Sequence, residues 1–224
     1  MKKILWLILL AIGASFLAAG QVALVSGIDG KVTLLRAGSS VPMEIGSLLD
    51  NGDELQTSTE AFAALKFLDG QASLRLFEKT YLRLSAENGK GGLKKLPSLS
   101  WGSLYARIEK GSGNFTCLTK NCTVTTSKST FLVKVNDLSD CTLIVLSGKA
   151  ELTDPETKQA HSVEAGQTAL LDHTGTFLKR DTRATDFSKP ERDFLNPQKK
   201  PVSTGLAVPL TDAQGHIRYV EFSW

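Results

Sequence analysis

The sequence predicts an all-β domain, and three observations carry that prediction. Apolar residues recur with a period of two from residue 21 onward. Glycines and Asn-Asp clusters punctuate the runs every ~8–12 residues. No stretch of the core carries a helical period. Short antiparallel strands in a compact β-roll, solenoid-like unit or sandwich satisfy this pattern, followed by an irregular tail and a terminal β segment.

The first element is an address. Met1-Lys2-Lys3 is a positive n-region, Ile4 to Ala19 is almost wholly apolar, and Ala18-Ala19-Gly20 offers small residues for a signal peptidase. At 16 residues the apolar run falls short of the roughly 20 that span a bilayer. Cleavage between Gly20 and Gln21 is therefore expected, delivering a periplasmic or secreted protein with no transmembrane span. The full chain has a net charge of +3, but the leader takes two lysines with it and leaves 24 Lys+Arg against 23 Asp+Glu. A nearly neutral chain has no basic field to attract nucleic acid.

Residues 21–179 carry the strands. Val32 and Leu34 alternate with polar neighbours; Ala61, Ala63, Leu65 and Phe67 share a face, and Leu74 and Leu76 follow across Asp69-Gly70. Asp-Gly between two alternating runs predicts a hairpin with a tight primed turn. Leu82 and Leu84, Val124 and Thr126, then Phe131, Val133 and Val135, Leu143 and Val145, and Ala169 and Leu171 continue the pattern. An internal echo links Gly30-Lys31-Val32, followed by Gly46, with Gly148-Lys149-Ala150, followed by Gly166; it hints at stacked β-turns. Ser85 to Ser100, with Asn88-Gly89-Lys90-Gly91-Gly92 and Pro97, reads as a mobile surface loop. Residues 180–205 are polar and Pro-containing and read as a linker or tail with one helical turn near Glu191. Residues 206–224 recover alternation around Asp212-Ala213-Gln214-Gly215, as a closing hairpin would.

Few residue patterns carry chemistry. Cys117 and Cys122 bracket four residues and Cys141 lies farther on. Three pairings are open; a hairpin whose ends meet favours Cys117–Cys122, leaving Cys141 as a buried thiol. His161, His173 and His216 are scattered without metal-ligand spacing, so no metal or cofactor is expected. There is no nucleophile elbow, phosphate loop or dinucleotide fingerprint. Trp101 and Tyr105, with Trp224, are the candidate ligand-stacking residues. Gly52 and Gly70 suit turns; Asp53 and Asp69, and more weakly Thr57, are expected to bond backbone amides within their own turns.

Several of these spacings together resemble the FecR domain family. The matching string opens with Gly30-Lys31-Val32 and runs through Gly46-x-Leu48-Leu49-x-x-Gly52-Asp53-x-Leu55-x-Thr57. Ala64-Leu65-x-Phe67-x-Asp69-Gly70 and Leu74-x-Leu76 follow, then Gly102-x-Leu104, Thr119 to Phe131 resembling the family's stretch from Thr-Pro to Arg-Gly-Thr-x-Phe, Gly148-Lys149-Ala150 and Val163-x-x-Gly166-Gln167. The likeness spans about Val22 to Leu171. Lys120 stands where the family has Pro, and Lys128-Ser129-Thr130 where it has Arg-Gly-Thr. With a signal peptide in place of the family's cytoplasmic sigma-binding segment, the chain looks like a stand-alone exported module of this kind. The resemblance implies a non-catalytic role in protein–protein contact or signal sensing in the bacterial envelope, with an envelope protein as partner. The alternative is binding of cell-wall glycan or exported polysaccharide.

Overall fold

Alternating side chains give each strand one face to bury, and the strands of this chain bury theirs together. The computed structural model describes residues 20–89, 92–109 and 115–196, with the backbone of two further strands, Leu206–Thr211 and Ile217–Phe222. The leader, Pro197 and Pro201, residues 212–215, His216 and Trp224 lie outside the described residues. Contacts divide the chain into two units, Met1–Arg183 and Ala184–Trp224.

The first unit is all β. In chain order its strands are β1 (Gln21–Asp29), β2 (Val32–Arg36), β3 (Ser39–Val41), β4 (Leu48–Asp50), β5 (Glu54–Thr57), β6 (Phe62–Phe67), β7 (Ala72–Leu76), β8 (Tyr81–Arg83) and β9 (Ala86–Gly89). They continue as β10 (Gly92–Lys95), β11 (Ser98–Ile108), β12 (Phe115–Leu118), β13 (Thr123–Thr126), β14 (Ser129–Val135), β15 (Cys141–Thr153), β16 (Ala160–Glu164), β17 (Gln167–Leu171) and β18 (Phe177–Asp181). Pairing arranges them in two sheets. The first runs β4-β1-β6-β7-β11-β14-β15-β17-β18, antiparallel throughout. The second runs β3-β2-β5-β8-β11-β12-β13-β15-β16, with the β9–β10 hairpin joined to it through β12. Buried residues of both sheets, among them Val25, Leu65, Phe67, Leu104, Phe131 and Val145 from the first and Leu34, Leu55, Leu82, Leu99, Val124 and Leu152 from the second, form one core cluster. The unit is a β-sandwich.

Two long strands belong to both sheets. β11 pairs in the second sheet up to Trp101 and in the first from Gly102; β15 pairs in the first up to Gly148 and in the second from Lys149. Gly102 has φ +99° and Gly148 φ +78°. A Cβ on Gly102 would stand 2.5 Å from the Thr80 Cα, and one on Gly148 2.6 Å from the Lys128 carbonyl oxygen. Both positions need glycine for conformation and for space.

Buried threonines close the same corners. The Thr57 hydroxyl donates to the Phe77 carbonyl (2.5 Å) and accepts from the Thr80 amide (2.9 Å). At the other corner the Thr126 hydroxyl donates to the Lys149 carbonyl (2.8 Å) and accepts from the Lys128 amide (3.2 Å). Thr57 therefore bonds across the fold rather than within its own turn, contrary to the expectation from sequence.

The internal echo is structural. The Gly46 amide donates to the Val25 carbonyl at 2.8 Å, and the Gly166 amide to the Val145 carbonyl at 2.9 Å. Each copy leaves the first sheet at a glycine, makes a hairpin in the second (β2–β3, β15–β16) and returns through β4 or β17.

Three expectations are corrected. Ser85–Ser100 is not a loop: β9 and β10 pair from Ala86↔Lys95 to Gly89↔Gly92, and β11 starts at Ser98. Asp69-Gly70 does make a hairpin, but only Gly70 has positive φ (+72°), and its amide closes the turn on the Phe67 carbonyl, so the turn is not of the tight primed kind. β18 runs to Asp181, two residues past 179.

In the second unit a helix α1 (Lys189–Leu195) occupies the expected place near Glu191. Glu191 accepts the Ser188 amide at 2.7 Å, completing a capping box with Pro190 in the first turn. Strands β19 (Leu206–Thr211) and β20 (Ile217–Phe222) pair antiparallel from Leu206↔Phe222 to Thr211↔Ile217, the expected hairpin. Among the described residues no helix is long and apolar enough to cross a membrane.

Replacing Gly102 with Ala should lower stability by about 2–3 kcal/mol, because a forbidden φ and a backbone clash coincide. Gly166→Ala, with φ +82° but open space around it, should lose only about 1 kcal/mol. Urea unfolding of both variants checks the difference.

Candidate functional site

The motif residues quoted above are held by the fold in distinct ways. Asp53, 1% exposed, accepts two bonds from Arg36, Nε to Oδ1 at 2.9 Å and Nη2 to Oδ2 at 2.7 Å. It also takes the Asp50 amide at 2.8 Å, as expected of a turn aspartate. Arg36 reaches Asp50 too, at 3.0 Å. Its hydrogen bonding to Asp53 outweighs desolvation and holds the Arg36 guanidinium above its ordinary range. Asp69 accepts the Gln71 amide at 3.0 Å and pairs through Oδ2 with Lys95 Nζ at 2.5 Å. Lys95 is fully buried, its ammonium 5.7 Å from the centre of the Phe67 ring. From sequence Lys95 reads as half of a solvated Lys94-Lys95 loop pair, a reading its complete burial against Asp69 overturns, and Arg36 carries no assigned role. A lone basic residue at a strand end gives no signal until the turn opposite is known.

Gly30, at φ +70°, abuts Ala61, while Gly46, Gly52 and Gly70 sit at positive φ in open turns. Phe131 is buried with its ring edge-on to Phe115, centroids 5.9 Å apart, and Thr130 lies on the outer side of β14 opposite Arg107.

The cysteine pairing differs from the favoured one. Cys122 is bonded to Cys141, Cα atoms 6.3 Å apart, and Cys117 is the buried free thiol. The hairpin register explains this: Cys117 lies opposite Val124, and Cys122 is held in the turn facing Thr119. Cys122 instead meets the first residue of β15. Burial pushes the Cys117 thiol up to about 12.

Trp101 and Tyr105 are not brought together. Trp101 pairs with Tyr81 in the second sheet, whereas Tyr105 pairs with Arg75 and Leu132 in the first. The neighbour that sequence reasoning missed is Tyr81, whose ring stacks on Trp101 with centroids 4.7 Å apart. Tyr81 donates its hydroxyl to the Glu54 carboxylate; this bond first, then burial, holds the phenol above its usual range. Trp101 remains 41% exposed, and Leu118 (37%) adds an apolar side chain to the same sheet. This aromatic surface, with Arg83 and Gln56 around it, is one candidate contact region.

The other is a polar cleft of about 140 Å³ at one end of the sandwich. Its walls are three turns, carrying Lys120 and Asn121, then Asp154 to Thr157, then Asp172 to Gly175. Asp154 accepts the Thr157 hydroxyl at 2.8 Å and the Glu156 amide at 2.8 Å, and Asp172 the Thr174 hydroxyl at 2.6 Å; these bonds hold both carboxyls below their usual range. Beside the cleft, Asp140 accepts the Asn136 side-chain amide at 2.9 Å, and its Oδ1 lies 2.9 Å from both the backbone nitrogen and Nδ1 of His173. Together these hold the Asp140 carboxyl down at about 2. His161 is occupied elsewhere, stacked on Phe177 at 3.6 Å. Among the described residues no group of three or more His, Cys, Asp or Glu is placed to hold a metal ion.

No family model and no curated protein matches the chain. Solved structures do. Two crystal structures of a putative anti-sigma factor from Parabacteroides distasonis, at 1.65 and 2.50 Å resolution, are similar with a TM-score of 0.52 and 16% identity. The first likeness covers 72% of this chain and 70% of that one, the second 69% and 66%. At this identity the match shows a shared all-β fold.

Two measurements test the local chemistry. Asp69→Ala leaves the Lys95 ammonium buried without its carboxylate and should destabilise by about 3 kcal/mol, most of it recovered in the Asp69→Ala/Lys95→Met double variant. For Asp140 the folded carboxyl titrates below the unfolded one, so its contribution is present above pH ~4. That contribution is lost as pH falls toward about 2. Melting temperature against pH should therefore drop less steeply over that window in Asp140→Asn than in the parent chain.

Proposed function

We propose that the chain is an exported, non-catalytic FecR-like module that binds another protein of the bacterial envelope in a signalling or regulatory role. One observation carries the reading. Gly30, Gly46, Gly52, Gly70, Gly102, Gly148, Gly166 and Thr57 of the quoted motif string fall at the crossings and turns of a sandwich whose fold is shared with a putative anti-sigma factor. The positively charged, apolar leader supports export, and a disulfide between Cys122 and Cys141 suits an oxidising compartment. Exposed Trp101, stacked on Tyr81, supplies the rigid aromatic anchor on which protein contacts concentrate. The same exposed ring favours a second reading, stacking against a cell-wall glycan.

Expression in a Gram-negative host, followed by intact-mass analysis of the periplasmic fraction, should give a product beginning at Gln21. A photocrosslinker at Leu118 should yield one discrete protein adduct in the native envelope that Trp101→Ala abolishes. Retention on purified peptidoglycan, lost in Trp101→Ala, with no protein adduct would replace the first reading with the second. A cytoplasmic, uncleaved product would overturn export.

A further inference from the structure

A two-stranded sheet has two edges to protect, and the β19–β20 hairpin protects one of them. Among the described residues these strands pair with each other and with no other strand. Their register places Pro209 opposite Tyr219. Proline has no N–H, so this pair cannot be one of those that exchange backbone hydrogen bonds. The exchanging pairs are the ones on either side, Val208↔Val220 and Leu210↔Arg218, with Leu206↔Phe222 beyond.

That assignment decides which backbone groups face outward. Residues of the remaining pairs turn their N–H and C=O away from the partner strand. On β19 these are Ala207, Pro209 and Thr211, and the missing donor falls in the middle of the row. On β20 they are Ile217, Tyr219 and Glu221, a full row of donors and acceptors. β19 thus has the proline-blunted edge that sheets use against further pairing, and the edge of β20 is open. A hairpin alone is marginal in water and gains stability from a third strand.

We infer that this open edge joins two copies of the chain: β20 pairs antiparallel with β20 of a second copy about a two-fold axis at Tyr219, giving a four-stranded sheet β19-β20-β20-β19. A single open edge per chain makes the contact isologous, and the sheet ends on both sides in a strand blunted at Pro209, so assembly closes at two copies. The sequence of β20 suits that register. Tyr219 faces Tyr219 of the second copy, Ile217 faces Glu221 and Arg218 faces Val220, so the whole outward row is bonded and no like charges are opposed. Sliding one strand until Arg218 faces Arg218, or Glu221 faces Glu221, opposes like charges and shortens the ladder. Centring on Val220 leaves Ile217 with no residue of the opposite strand to meet.

Sedimentation velocity of the full exported chain over a range of micromolar concentrations tests the pairing. The parent chain should approach the mass of a dimer as concentration rises. Tyr219→Pro removes a donor from the open edge while sparing the bonds within the hairpin, and should sediment as a monomer. Pro209→Val restores the missing donor on β19 and should carry assembly beyond two copies. Tyr219→Cys should give a covalent dimer on mild oxidation, because residues of an exchanging pair have Cα atoms about 5.5 Å apart, within disulfide reach. Arg218→Cys, which faces Val220, should not. A parent chain that stays monomeric at every concentration would overturn the inference. So would a dimer that survives Tyr219→Pro, one that Pro209→Val leaves at two copies, or crosslinking by Arg218→Cys as ready as by Tyr219→Cys. Where Tyr219→Pro unsettles the hairpin, the cysteine variants and Pro209→Val decide, since they keep every backbone donor of β20.

Discussion

A strand that serves two sheets has to change direction without giving up its ladder, and β11 and β15 both do so inside a packed core. At each change the backbone comes within van der Waals distance of a neighbouring chain segment, the Thr80 backbone in one case and the Lys128 carbonyl in the other. No side chain fits there, and backbone groups facing the corner cannot be left unpaired in the interior. Thr57 and Thr126 answer the second demand, each giving one bond and taking another with a single short side chain. The two sheets are thus one continuous hydrogen-bonded structure whose inner faces share a core.

Charge then fixes what the corners leave loose. Arg36 gathers the β4–β5 turn against the end of β2 through a two-pronged contact with Asp53. Lys95 pins the β9–β10 hairpin to the β6–β7 turn from a fully buried position. In both places an aspartate within a tight turn has its own backbone bonds and still has an oxygen to offer a distant cation.

The strand faces were legible because period-two burial leaves a direct trace, as in Ala63, Leu65 and Phe67. Where strands lie at the centre of a sheet the trace changes: Leu132 and Ile144 are buried along with Phe131, Val133, Leu143 and Val145, so the alternation read there from sequence gives way to burial on both faces. The β9–β10 hairpin was hidden by its composition, since glycine and lysine spell loop locally and only the contact with Asp69 makes Lys95 an interior residue. The cysteine pairing was hidden for a similar reason. Sequence proximity favoured Cys117, but strand register aims Cys117 and Cys122 at different partners. Trp101 was visible as a candidate surface residue, whereas Tyr81 emerged only when cross-strand pairing placed it beneath the indole.

The order of strands in the first sheet also governs time. β1 finds its main partner β6 only after about thirty intervening residues, and β7 meets β11 only after β8 to β10 have been laid down elsewhere. Most contacts are long-range, so loops must close before those ladders reward them. Such topologies reach the native state on the order of milliseconds to seconds, far slower than helical bundles of the same length. A polypeptide with this topology stays threadable for longer after synthesis, and its slowness is written into the strand order rather than into any one residue.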